Sequence, residues 1–356
     1  PEERRVMRRP LLSALLALCM CGAAVAAEQT IAAGDAHVAR MGRTVAHPDG
    51  AVRFGYPGVT LALAVDGTRL AVDAAGSASS LVDVIVDGKP AGTLRLAPEV
   101  KSYDVFKDAA PGPHKVELVH RSETWLGVVS IARFTADGRF LAAPALPGRR
   151  ILVLGDSVTC GADMERGAGD KDTPDWWNPR LSYGMLAARA LDAQVQLVCY
   201  GGRGLVRSWN GRTDEPQLPA FYDLAIADAA HPARWNQADY DPDLVVVAIG
   251  TNDFNPGIPE RATYVDAYAA FLRRLLRDHP HARIALTEGA LLDGDKKAAL
   301  IGYLREAAAR VADTRIHVLA PLAHQPGDAV NGHPTTAQHA AMAREMLPQL
   351  RHVAGW

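Results

Sequence analysis

Between residues 37 and 140 the chain alternates apolar and polar positions in runs too short for a helix. The runs 52–56, 60–65, 81–86, 93–96, 114–119 and 128–134 read as strands, because successive side chains of an extended backbone point to opposite faces. Turn formers separate them: Asp66-Gly67, Asp87-Gly88-Lys89-Pro90 and Pro111-Gly112-Pro113. With no long helical period between them, these strands predict an antiparallel β-sandwich of the jelly-roll kind over 35–142.

A Pro- and Gly-containing linker, 143–148, ends this pattern, and a different one begins. Continuous apolar runs at 151–154, 195–199, 244–249, 284–287 and 316–319 now alternate with amphipathic stretches at 182–191, 263–278, 295–312 and 336–350. Strands that are apolar on both faces belong to a parallel sheet covered by helices on each side. Residues 149–356 are therefore expected to form a flavodoxin-like three-layer α/β domain, with ligands bound at the carboxyl ends of its strands. A chain of 356 residues is long enough for two such cores.

The N-terminus follows neither pattern. Arg8-Arg9, an apolar run from Leu11 to Cys21 and small residues at 24–27 have the layout of a signal peptide, here 7–27, with cleavage near Ala26 or Ala27. The apolar run is short for a membrane span. Bulky Leu18 and Met20 argue against a lipoprotein anchor at Cys19 or Cys21. The expectation is a secreted or periplasmic protein with no membrane span in the mature chain. Cleavage leaves Cys160 and Cys199, which fit either a disulfide or two separate small core residues. The formal net charge of −2 supplies no basic field for phosphates, which argues against nucleic-acid binding.

Three polar or Gly-rich clusters follow the first three parallel strands, where the site of an α/β domain belongs: Gly155-Asp156-Ser157-Val158-Thr159-Cys160-Gly161, Gly201-Gly202-Arg203-Gly204 and Gly250-Thr251-Asn252-Asp253. Near the C-terminus His333-Pro334 precedes a helix opening with a capping box, Thr335 with Gln338. These blocks, in this order, resemble those of the SGNH (GDSL-like) hydrolases. The front sandwich, His120-Arg121-Ser122-Glu123 and Arg207-Ser208-Trp209-Asn210-Gly211 narrow the likeness to carbohydrate esterase family 2.

A serine hydroxyl needs a base to take its proton and donors to hold the oxyanion. The resemblance implies Ser157 as nucleophile and His333 as base, with an oxyanion hole formed by the Ser157 N–H, the Gly202 N–H and the Asn252 amide. Glycine suits the second place because backbone must approach substrate without a Cβ. His317, His324 and His339 compete with His333, but a loop histidine ahead of a helix is better placed to act as base than one in a strand or helix. Asp156 reads as ordering the turn. Many SGNH enzymes carry an acid three residues before the histidine, where this chain has Val330; Asp328 is the candidate third member of a triad, and a main-chain carbonyl orienting the histidine is the alternative. Trp176, Trp177 and Trp209 are candidates for stacking on a sugar ring.

The chain lacks G-x-S-x-G, a Walker A run, a dinucleotide G-x-G-x-x-G and H-E-x-x-H. No metal or other cofactor is expected. The implied reaction is deacetylation of xylan, glucomannan or mannan, with 6-O preference, by a monomer whose partner is its acetylated carbohydrate substrate. The alternatives are an SGNH lipase or thioesterase, a cell-wall O-acetyl esterase, and a non-catalytic carbohydrate-binding protein.

Overall fold

The computed structural model describes residue 2 and residues 28–77 and 79–356; the expected signal peptide lies outside the described residues. Two six-stranded antiparallel sheets form the front domain. In one, Val129–Ala136 lies between Val52–Phe54 and Leu70–Gly76, and Lys101–Phe106 extends the sheet beyond Leu70–Gly76. In the other, Pro113–His120 lies between Thr60–Asp66 and Leu81–Val86. Apolar residues such as Leu61, Leu63, Val72 and Phe134 are buried in the core. The Asp87-Gly88 turn behaves as its residues require, both taking positive φ between Leu81–Val86 and Lys89–Arg95.

Two long strands escape the hydrophobic pattern. Leu70–Gly76 is half alanine and glycine, which have weak strand preference, and Lys101–Phe106 is largely polar. Both are held by their neighbours' backbone ladders. The first strand, Gln29–Ala32, pairs with Val129–Ala136, so the sandwich begins ahead of residue 35.

The rear domain is a five-stranded, all-parallel sheet. In chain order its strands are Arg149–Gly155, Ala193–Cys199, Leu244–Ala248, Arg283–Leu286 and Ile316–Val318, arranged 2-1-3-4-5. Gly155 is in register with Cys199 on one side and Ala248 on the other. Because these three ends are level, the loops that follow them converge at one edge of the sheet, at the switch point of strand order. The helices Tyr183–Ala190, Arg261–Asp278, Gly294–Val311 and Thr336–Ala354 correspond to the four expected, and the last opens on the Thr335–Gln338 capping box.

The domains share one apolar core and are pinned by buried polar contacts. Arg43, from the front domain, is 1% exposed and donates to the Tyr222 and Leu224 carbonyls, with its guanidinium over the Tyr222 and Trp235 rings. The Tyr56 hydroxyl donates to the Phe221 carbonyl at 2.7 Å.

Candidate active site

Ser157 opens a single helical turn, Ser157–Cys160, directly after the first parallel strand. Asp156, not Ser157, caps that turn: its carboxylate accepts the Val158 N–H at 3.0 Å. Burial pushes the Asp156 carboxyl up to about 6, against that hydrogen bond. The serine hydroxyl is left to His333, whose Nε2 lies 2.9 Å from Ser157 Oγ.

The far side of the imidazole faces Asp163, whose Oδ2 lies 2.9 Å from His333 Nδ1. The Val330 carbonyl is also within reach of Nδ1, at 3.2 Å. Asp163 accepts the Trp177 indole N–H and the Asn331 amide as well, and is 3% exposed with φ +57. Left-handed backbone is uncommon outside glycine and is tolerated best by Asp and Asn. Burial alone would pull His333 down, but the hydrogen bond to Asp163, that carboxylate's charge, and the Val330 carbonyl together raise it above 6.5.

Asp328 does not reach the histidine as a third member would. Its carboxylate accepts the Gln338 amide at 2.8 Å, fastening the loop to the capping box of the last helix. The acid that faces His333 instead comes from the loop that carries Ser157, six residues further on. Looking just ahead of the histidine misses it; the signal for it is an aspartate in the Gly-flanked turn after Ser157. His339 is buried, stacked on Tyr183 and accepting its N–H, while His317 lies on the outermost parallel strand and His324 is exposed.

Gly202 sits in a turn closed by the Arg203 N–H on the Tyr200 carbonyl. Its φ is +73, and a Cβ there would lie 2.9 Å from the Trp209 ring, so conformation and space both call for glycine. Among the described residues no backbone carbonyl accepts the N–H of Ser157 or Gly202. The Asn252 side chain is 8% exposed and gives one amide hydrogen to the Arg203 carbonyl at 2.8 Å, leaving its second. Its neighbour Asp253 accepts the N–H groups of Leu205, Val206 and Arg207 and so shapes the loop beyond Gly204. The turn after the third strand thus organises the loop after the second.

The tryptophans divide. Trp209 is 56% exposed beside Gly202. Trp177 is buried against Asp163, so it supports the histidine's partner rather than offering a face to a sugar. Trp176 is half-buried, with the Arg166 guanidinium over its ring. An exposed indole missed in the sequence, Trp125 of the front domain, packs edge-on against Trp177. Cys160 and Cys199 form a disulfide with a Cα–Cα distance of 5.7 Å, tying the Ser157–Cys160 turn to the end of the second strand. Among the described residues no group of three or more His, Cys, Asp or Glu side chains is placed to share a metal ion.

A serine facing a histidine at the carboxyl edge of a 2-1-3-4-5 parallel sheet, with an antiparallel sandwich in front, is the architecture of a two-domain GDSL-like hydrolase. Residues 40–144 match the family described as Carbohydrate esterase 2 N-terminal, and 153–344 match the GDSL-like Lipase/Acylhydrolase family. The chain belongs to carbohydrate esterase family 2 and is a carboxylic ester hydrolase. It is 51% identical over 329 residues to an acetylxylan esterase / glucomannan deacetylase of Cellvibrio japonicus (strain Ueda107), covering 92% of each chain. A solved family two carbohydrate esterase from Cellvibrio japonicus matches with a TM-score of 0.90 at 50% identity, covering 93% of this chain and 99% of that one. Another from Clostridium thermocellum, in complex with cellohexaose, matches with a TM-score of 0.85 at 26% identity, covering 90% and 99%.

Proposed function

We propose that this enzyme removes acetyl groups from the hydroxyls of xylan and glucomannan through an acyl-enzyme on Ser157. The observation behind this reading is the line from Ser157 Oγ through His333 to Asp163, with separations of 2.9 Å at each step. Half-identity to an acetylxylan esterase / glucomannan deacetylase supports the substrate class.

In the first half-reaction His333 Nε2 takes the Ser157 proton as Oγ attacks the acetyl carbonyl. Asp163 and the Val330 carbonyl fix the tautomer that leaves Nε2 free to accept, and the Asp163 charge stabilises the imidazolium that forms. The carbonyl oxygen becomes an oxyanion held by the Ser157 and Gly202 N–H groups and the free Asn252 amide hydrogen. The imidazolium then protonates the departing sugar oxygen. Water, deprotonated by the same nitrogen, hydrolyses the acetyl-serine, releases acetate and restores the serine. Each oxyanion donor is typically worth about 3 kcal/mol of barrier.

The decisive experiment is NMR of acetyl loss from defined acetylated xylan and glucomannan fragments, with Ser157→Ala as control and fluorophosphonate labelling to locate the nucleophile. Acetyl loss abolished in the variant is expected; faster hydrolysis of 4-nitrophenyl octanoate than of the acetate rejects a deacetylase. We also propose that the chain acts outside the cytoplasm: its N-terminal pattern reads as a signal peptide, and a buried disulfide suits an oxidising compartment. N-terminal sequencing of the exported protein should begin just after Ala26 or Ala27; a product retained in the cytoplasm rejects the export reading.

A further inference from the structure

After the strand Pro113–His120, the front-domain backbone crosses to the hydrolase domain, and each residue of the crossing is fastened. Buried His120 is hydrogen-bonded through Nδ1 to the Tyr56 carbonyl at 2.8 Å. Arg121 pairs with Asp83 and Glu165, and Ser122 accepts the Leu81 N–H at 2.7 Å. The next two residues reach the oxyanion loop itself. Thr124 donates its hydroxyl to the Cys199 carbonyl at 2.7 Å, and Glu123, 3% exposed, accepts the Gly201 N–H at 3.2 Å. The front domain therefore grips both residues that flank Tyr200, immediately before Gly202.

The glutamate also lies close to Ser157. A Cβ built on Gly201 would meet Glu123 Oε2 at 2.6 Å and the Ser157 Cβ at 3.6 Å. The space a side chain at position 201 would fill is bordered by the carboxyl group on one side and by the serine on the other. A buried carboxyl is costly to hold there, and burial pushes it up to about 7 despite N–H bonds from Thr124 and Gly201. The charged and titratable groups around it are His333, Asp163 and Tyr200. A group needed only to join two domains has no reason to hold the backbone N–H next to Gly202 at the cost of burying a carboxyl.

We propose that Glu123, a residue of the front domain, is a positioning residue for hydrolysis in the rear domain: its carboxyl oxygen holds the Gly201 N–H and so fixes the turn that presents the Gly202 N–H to the oxyanion. The proposal rests on the reading of Ser157 as nucleophile and Gly202 as oxyanion donor. It makes the sandwich part of the catalytic machinery rather than an appended module. A donor displaced by about 1 Å costs on the order of 100-fold in rate.

The test is steady-state kinetics on 4-nitrophenyl acetate for Glu123→Ala, Glu123→Asp and Glu123→Gln, with thermal unfolding and methaneboronic acid inhibition measured on each. Glu123→Ala is expected to lose roughly 10- to 100-fold in kcat with KM little changed, and to bind the boronate more weakly by a similar factor. Glu123→Gln keeps an acceptor oxygen of the same reach and should recover most of kcat. Glu123→Asp, one methylene short, should behave like alanine, and the Asp and Gln pair decides if the alanine variant does not fold. Wild-type kcat and boronate affinity in a folded but less stable Glu123→Ala would reduce Glu123 to a structural role and overturn the proposal, as would a glutamine variant no better than alanine. Failure of the underlying reading looks different: Ser157→Ala would keep activity, and fluorophosphonate would label another residue.

Discussion

Asp163→Asn is the substitution that separates a triad from a dyad. The amide keeps the carboxylate's shape and removes its charge from a position 2.9 Å from His333 Nδ1. The Val330 carbonyl, at 3.2 Å from the same nitrogen, can still hold the imidazole in its productive tautomer. What is lost is the charge-assisted hydrogen bond that stabilises the imidazolium in the transition state, worth about 1.5–3 kcal/mol. That converts to roughly 10- to 150-fold in kcat. A wrong tautomer would cost far more, on the order of 10⁴-fold, as for the corresponding change in chymotrypsin-type triads. The same substitution should move the pH profile. As the proposed base, His333 is active only when neutral, so kcat/KM falls as pH drops through its pKa, which in the wild type is raised above the ordinary imidazole value. Removing the Asp163 charge and hydrogen bond lowers that pKa, and the acidic limb shifts to lower pH. The deficit of the variant is then smallest in acid and largest above neutrality. Stopped assays on 4-nitrophenyl acetate across pH 5 to 9 read both effects, with Asp328→Ala as comparison, expected within about two-fold of wild type because it only braces Gln338. An Asp163→Asn enzyme with wild-type rate and profile would leave the Val330 carbonyl as sole orienting group and refute the triad.

Asn252→Ala should lower kcat by about 100- to 1,000-fold with the fold intact; a loss confined to KM would place the amide outside the oxyanion hole. Trp209→Ala and Trp125→Ala, each removing an exposed indole near the loops of the site, should raise KM on acetylated oligosaccharides roughly 2- to 10-fold while leaving 4-nitrophenyl acetate turnover near normal. Equal effects on both substrates would make these rings packing elements instead. Removing the disulfide by Cys160→Ala with Cys199→Ala opens a loop spanning 39 residues and should cost roughly 2–4 kcal/mol, seen as a melting temperature lower by about 5–10 °C. An unchanged melting temperature would show that packing, not the cross-link, holds the two turns together.

Much of this candidate site was legible in the chain because its placement depends on local rules. The parallel strands announce themselves as apolar runs, and in such a sheet polar residues just past a strand's carboxyl end must lie on the ligand-binding edge. Ser157, Gly202 and Asn252 each follow this rule, and His333 was separable from its rivals by standing in a loop before a capped helix. Sequence also supplied the two-domain division, since alternation in one half and continuous apolar strands in the other cannot share one sheet type.

Tertiary structure decided the rest. Asp163 stands next to His333 only because the turn after Ser157 takes positive φ and folds back beneath the loop carrying Val330 and Asn331. A separation of 170 residues leaves no trace of that contact in either segment. Asp328, nearer in the chain, is drawn away by the capping box it supports. Trp177 looks like a sugar platform in sequence and is in fact the buried donor to Asp163. The segment His120-Arg121-Ser122-Glu123 was legible as a mark of the family, but where its side chains reach was not. Glu123 and Thr124 lie in the turn after the strand Pro113–His120, and only the docking of the two cores carries them to Gly201 and Cys199. Periodicity and turn chemistry are properties of a short stretch of chain, whereas the partner of a buried charge is fixed by which surfaces the whole chain brings together.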